Sequence, residues 1–120
     1  MNARITPPVL EPALALERLG QAWDHDILRQ LTEYIAIPAK SPMFAPDWAQ
    51  QGLLDTVVRN AAAWVEAQKV AGLRLEIVRL PGRTPVLFFE IDATEATATQ
   101  TVLMYGHLDK QPEFSGWRSD

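Results

Sequence analysis

Cysteine is absent from the 120-residue chain, which excludes disulfide frameworks and thiolate metal sites alike. Any metal must then be held by His, Asp or Glu, a ligand set suited to catalytic zinc or manganese rather than to a structural zinc knot. Histidine is scarce too, with only His25 and His107 present. Basic residues are few and dispersed, and the formal net charge is -4. A nucleic acid or an anionic membrane surface needs a basic face, so neither is expected as a partner. No apolar run approaches the roughly 20 residues that cross a bilayer. Met1 to Val9 holds an arginine and a proline pair but no apolar stretch of signal-peptide length. The expected location is cytoplasmic.

What is present is the balance of an ordinary globular protein, with 48% apolar and 22% charged residues. A chain of this length has the size of one small domain. Its first half is helical in pattern. Helical spacing runs from about Pro12 to Ile35, with a break expected near Gly20, and places Ile27, Leu28, Leu31, Tyr34 and Ile35 on one face. Asp24 or Asp26 is the expected N-cap of its clearer second part, and Pro38 the stop. A proline-stiffened loop, Ile37 to Pro46, leads to a second helix from Asp47, the expected cap, to Gly72, the expected C-terminal cap. Leu54, Val57, Val58, Ala61, Trp64 and Val65 form its apolar stripe, and Gln68 interrupts it.

The second half reads as strands. Leu73, Leu75 and Ile77 alternate with Arg74 and Glu76, the period of a half-buried strand. The turn Pro81-Gly82-Arg83-Thr84 leads to a second strand, Pro85 to Ile91, antiparallel to the first. After a polar loop, Thr101 to Gly106 is a continuous apolar run of the kind buried on both faces of a sheet. The expected fold is α/β: two N-terminal helices packing on a partial mixed β-sheet, the opening of a larger domain. Residues 1–23 form an N-terminal extension and helix; residues 24–120 begin the domain proper.

Chemistry concentrates after that last strand. His107 and Asp109 follow Gly106, separated by Leu108, and an extended backbone would point both to one side. The C-terminal edge of an α/β sheet is where ligands commonly bind. Imidazole is the commonest metal ligand, and a neighbouring carboxylate typically orients it. His-x-Asp alone is a weak signal, and a polar loop after a core strand explains it equally well.

The wider segment is more specific. The run Leu103-Met104-Tyr105-Gly106-His107-Leu108-Asp109, followed by Gln111-Pro112, Gly116-Trp117 and Asp120, resembles the aminoacylase, carnosine-dipeptidase and glutamate-carboxypeptidase family of zinc exopeptidases. The later elements are most similar to its dipeptidase branch. The helical start and the Ile37-Pro38 to Ser41-Pro42 loop also fit that family's opening. The resemblance implies that His107 is a metal ligand to one of two adjacent zinc ions, with manganese or cobalt as substitutes, and that Asp109 is the supporting catalytic carboxylate. It implies hydrolysis of a dipeptide or small peptide by a metal-activated water, and admits a homodimer as the state of the full-length protein. In the family the bridging aspartate, the general-base glutamate and a late histidine come from segments beyond the His-x-Asp. The chain is therefore expected to be an N-terminal fragment, poorly soluble and inactive alone. The alternatives are a fragment of an N-acyl-amino-acid deacylase of the same family and a non-catalytic α/β interaction module.

Other residues are expected to be structural. His25, between two aspartates, reads as a solvated or capping histidine, Glu90 as the exposed acid of an edge strand. Trp64 and Trp48 read as packing residues, Trp117 as a surface tryptophan. Lys110 and Arg118 read as solvated loop charges.

Overall fold

The computed structural model describes residues 10–116 and 118. The expectations placed on Met1 to Val9, Trp117 and Asp120 lie outside the described residues. The chain divides into two compact units, Met1–Ala36 and Ile37–Asp120.

In the first unit, helix continues through the point where a break is expected. Helix α1 (Pro12–Ala22) starts on Pro12, whose missing N–H costs nothing at a first turn. A five-residue π turn, Trp23–Ile27, follows, and α2 (Leu28–Ala36) continues from it. Gly20 lies inside α1. Asp24 and Asp26 lie inside the π turn and cap nothing, because Ala22 before them is already helical. The deviation takes the form of one widened turn. Asp26 and Glu33 flank Arg29 one turn away on either side, at 3.3 and 3.1 Å. No residue of these three elements is buried.

The second unit holds the core: Ala39, Ala45, Leu54, Val57, Val58 and Ala62. The expected second helix is two helices. A single turn, α3 (Trp48–Gln51), is separated from α4 (Leu53–Ala67) by Gly52 at φ 67°. Glycine takes that left-handed conformation without a Cβ penalty. Asp47 stands at the N-cap of α3, but its carboxylate accepts from the Gln51 side chain at 2.9 Å rather than from a backbone N–H. Helix α4 ends at Ala67, short of Gly72. The side chain of Gln68 bonds back to the Trp64 carbonyl, and Lys69 takes the left-handed conformation at φ 53°. Gly72, at φ 74°, belongs to the turn that enters the first strand. The helix stops where its apolar stripe stops.

Strands β1 (Leu73–Val78) and β2 (Val86–Ile91) pair antiparallel, with Leu73 opposite Ile91 and Val78 opposite Val86. Helix α4 lies against both strands. Leu73, Leu75 and Ile77 are half-buried while Arg74 and Glu76 are exposed, as the alternation predicts. The α/β class therefore holds, as helices with a small antiparallel sheet. Glu90 stands opposite Arg74, whose guanidinium also meets Asp92 at 2.8 Å. The strand acid is one arm of an exposed cross-strand ion cluster that holds Arg74 above its ordinary pKa, Asp92 acting first.

The expected third strand does not form. Thr101–Gly106 has no ladder partner among the described residues, and Val102, Leu103, Met104 and Tyr105 are each 85–91% exposed. A strand buried on both faces needs neighbours at both edges and cover on both sides. This unit offers it one long helix and two strands. An exposed apolar run beside an open sheet edge favours self-association. Val102→Glu, which adds charge without touching the core, is expected to raise the monomeric fraction severalfold in size-exclusion chromatography. An unchanged profile would show that this run does not drive association.

Candidate functional site

The expected site residues sit between the exposed apolar run and a tethered point of the backbone. Lys110 and Lys40 form an isolated parallel bridge. Its two hydrogen bonds run from the Lys110 N–H to the Ala39 carbonyl, 2.9 Å, and from the Ser41 N–H to the Lys110 carbonyl, 3.0 Å. The Lys110 ammonium also donates to the Ile37 carbonyl. Partial burial there pushes the Lys110 pKa down. Lys110 is thus a tether, correcting its reading as a solvated loop charge. The loop is held at the other side by Ser41, whose carbonyl accepts from the N–H groups of Phe44 and Ala45.

Immediately before the tether, His107 and Asp109 meet. His107 Nδ1 lies 3.1 Å from Asp109 Oδ1 and 3.1 Å from the Asp109 backbone oxygen. Both oxygens only accept, so the proton of the neutral ring resides on Nδ1 and is shared between them. Nε2 is then left with its lone pair. The His107 side chain is 63% exposed and that of Asp109 34%, so the carboxylate backs the ring and the ring faces outward. Leu108 is half-buried between them. Same-side placement, expected from alternation, is observed without a strand. The carboxylate reaches the ring from two residues on along irregular backbone.

The pair borders an apolar cavity of about 460 Å³, walled by Leu54 and Val57 of α4, Val86 and Phe88 of β2, and Met104. A zinc in a catalytic site takes about three protein ligands. Among the described residues no group of three or more His, Asp or Glu converges. The pair fits one imidazole ligand with its supporting carboxylate, and further ligands would have to come from elsewhere. His25 takes no part in such a cluster. Its Nδ1 lies 2.7 Å from the Gln21 carbonyl one turn back, so it serves its own helix.

Arg118 is exposed. Lys40 reaches Glu113 Oε2 at 2.8 Å, closing a second link between the loop and the segment after the site. That bond, ahead of a backbone hydrogen bond, holds the Glu113 carboxyl below the usual glutamate range. The folded pKa is depressed, so the contribution is present above the unfolded value and is lost as pH falls through the folded one. In Lys40→Met, the Glu113 titration is expected to move up toward the ordinary glutamate position in carboxyl ¹³C NMR, with the backbone hydrogen bond keeping part of the depression. An unmoved midpoint would mean the pair does not form in solution. The loop's pairing with Lys110 escaped the sequence pattern because a single bridge between irregular segments has no periodicity. Its only trace is the proline-rich rigidity of residues 37–46.

No helix among the described residues is long and apolar enough to cross a membrane. No protein-family model matches the chain, and no curated protein matches it.

Proposed function

We propose that the chain is the opening part of a metal-dependent dipeptidase's catalytic domain, in which His107 is the first zinc ligand and Asp109 its positioning carboxylate. The observation that carries the reading is the contact between His107 Nδ1 and Asp109 on a side chain that is 63% exposed, an arrangement in which a neutral ring has Nε2 as its acceptor nitrogen. Imidazole ligands of metals commonly have their other nitrogen held by a carboxylate in this manner. The resemblance of the segment Leu103 to Asp120 to the zinc exopeptidases supplies the reaction class. Bound metal supplies an acidified water and a Lewis acid for the scissile carbonyl.

The chain's own residues contribute orientation and charge. Asp109 fixes the ring tautomer and raises the basicity of Nε2. Its negative charge favours the bound cation over the empty site. The links from Ala39, Ser41 and Ile37 to Lys110 hold the backbone just after the pair and so limit the positions His107 samples. Partial burial of Leu108 helps anchor the residue between the two functional side chains.

The direct test is zinc content and dipeptide hydrolysis of the chain extended by its native downstream sequence. About two zinc ions per protein, with hydrolysis that a chelator removes and zinc restores, would support the reading. An extended protein that binds no metal would overturn it.

A further inference from the structure

A second cleft, of about 230 Å³, lies where α3 and the start of α4 meet the β1–β2 connection. Trp48, Gly52, Asp55, Arg79, Arg83 and Pro85 line it. Its electrostatics oppose those of the whole chain, whose net charge is -4. Asp55 is the only carboxylate in that lining. Its Oδ1 accepts from both Nε and a terminal nitrogen of Arg79, and its Oδ2 lies 2.9 Å from Arg59 Nε. One carboxylate therefore serves two guanidinium groups, of which Arg79 lines the cleft, and Arg83 brings a second guanidinium to that lining. Arg83 has no ion pair among the described residues; its backbone N–H closes the turn on the Leu80 carbonyl at 3.1 Å. Within the lining the balance is one negative charge against the two positive charges of Arg79 and Arg83.

We infer that this cleft binds a small ligand bearing an oxyanion, a carboxylate or phosphate, clamped by Arg83 and the unused donors of Arg79 beside the apolar wall of Trp48. A guanidinium presents a planar fork of donors that matches both oxyanions. Asp55 engages Arg79 on the Nε side of its fork, which leaves the other terminal nitrogen outside that contact. The same carboxylate holds Arg79 in place, so little conformational freedom remains to be lost on binding. The volume lies below the roughly 300–1,000 Å³ of drug-sized pockets, which limits the ligand to a small acid or a phosphate-sized group. Trp48 and Pro85 give an acid with a ring or short apolar body a surface to lie on. This proposal does not depend on the metal chemistry assigned to His107.

The test is a titration of the full chain with benzoate and, separately, with inorganic phosphate at fixed ionic strength. It is followed by the NMR signals of the Trp48 indole N–H and the Arg83 Nε–H. Saturable shifts confined to these groups are expected. Saturation by benzoate alone identifies a carboxylate with an apolar body, and saturation by phosphate alone identifies a phosphate site. Arg83→Gln is expected to weaken binding about tenfold or more. Arg74→Gln, an equal loss of charge on an exposed side chain near the opposite end of β1 from the β1–β2 connection, should change it by less than about twofold. Linear, unsaturable shifts with both anions, or equal weakening by the two substitutions, would overturn the proposal.

Discussion

In the extended protein, His107→Ala is expected to weaken zinc binding by about 100-fold or more and to abolish dipeptide hydrolysis. The substitution removes the nitrogen donor itself, whereas Asp109→Asn removes only the charge behind it. Loss of such a supporting partner typically costs 10–100-fold in metal affinity, so Asp109→Asn should be the milder of the two. The ordering matters because a general disturbance of the loop would not produce it. His107 is 63% exposed and lies outside every helix and strand, so with zinc removed by a chelator its loss should leave the urea midpoint close to the parent's, a change within about 0.5 kcal/mol of unfolding free energy. Zinc content by mass spectrometry, read beside that midpoint, separates a lost ligand from a lost fold. Retention of both zinc and activity in His107→Ala would make this residue a loop histidine and remove the basis of the dipeptidase reading.

The elements legible in the sequence are those fixed by local periodicity. The stripe at Leu54, Val57 and Val58 became the buried face of α4, and the Leu73, Leu75, Ile77 alternation became β1. Pro81-Gly82 marked the turn between the strands, and Gly82 takes the positive φ such turns use. Boundaries were harder to read, because they depend on competing local bonds. Gln68 ended α4 before Gly72 could, and Gly52 divided what a continuous pattern presented as one helix. Thr101 to Gly106 shows the deeper limit. Apolar composition states what a segment needs to be buried in, not whether the surrounding elements can provide it.

The candidate site was legible for a different reason. Two residues at i and i+2 need no tertiary arrangement to meet, so the His107–Asp109 contact is local. The supports are not. Ile37 and Ala39 bond Lys110 from some 70 residues earlier, and sequence spacing carries no trace of that closure. The arginine cleft likewise joins Asp55 to Arg79 across 24 positions. Neither residue shows a helical or strand period that would single it out.

Two substitutions that remove the same atoms are expected to differ widely, and their contrast tests the whole arrangement of the second unit. Leu54 is 5% exposed and Leu103 is 89% exposed. Leu→Ala in a core costs about 2–5 kcal/mol, the larger values where a rigid cavity remains. Leu54 borders the 460 Å³ cavity beside His107, so part of its surroundings is already loosely packed. The expected loss is therefore near the lower end, about 2–3 kcal/mol. At roughly 0.05–0.15 kcal/mol per residue, the unit from Ile37 to Asp120 holds on the order of 4–12 kcal/mol. A core of six buried apolar residues among those described, three of them alanine, argues for the lower part of that range. Leu54→Ala should thus remove a large fraction of the stability, while Leu103→Ala should stay within about 0.5 kcal/mol in urea unfolding. Equal losses would mean that Leu103 is buried in solution and that Thr101 to Gly106 pairs as the strand its composition calls for. The apolar run would then be part of the core that positions His107, rather than an exposed lead into it.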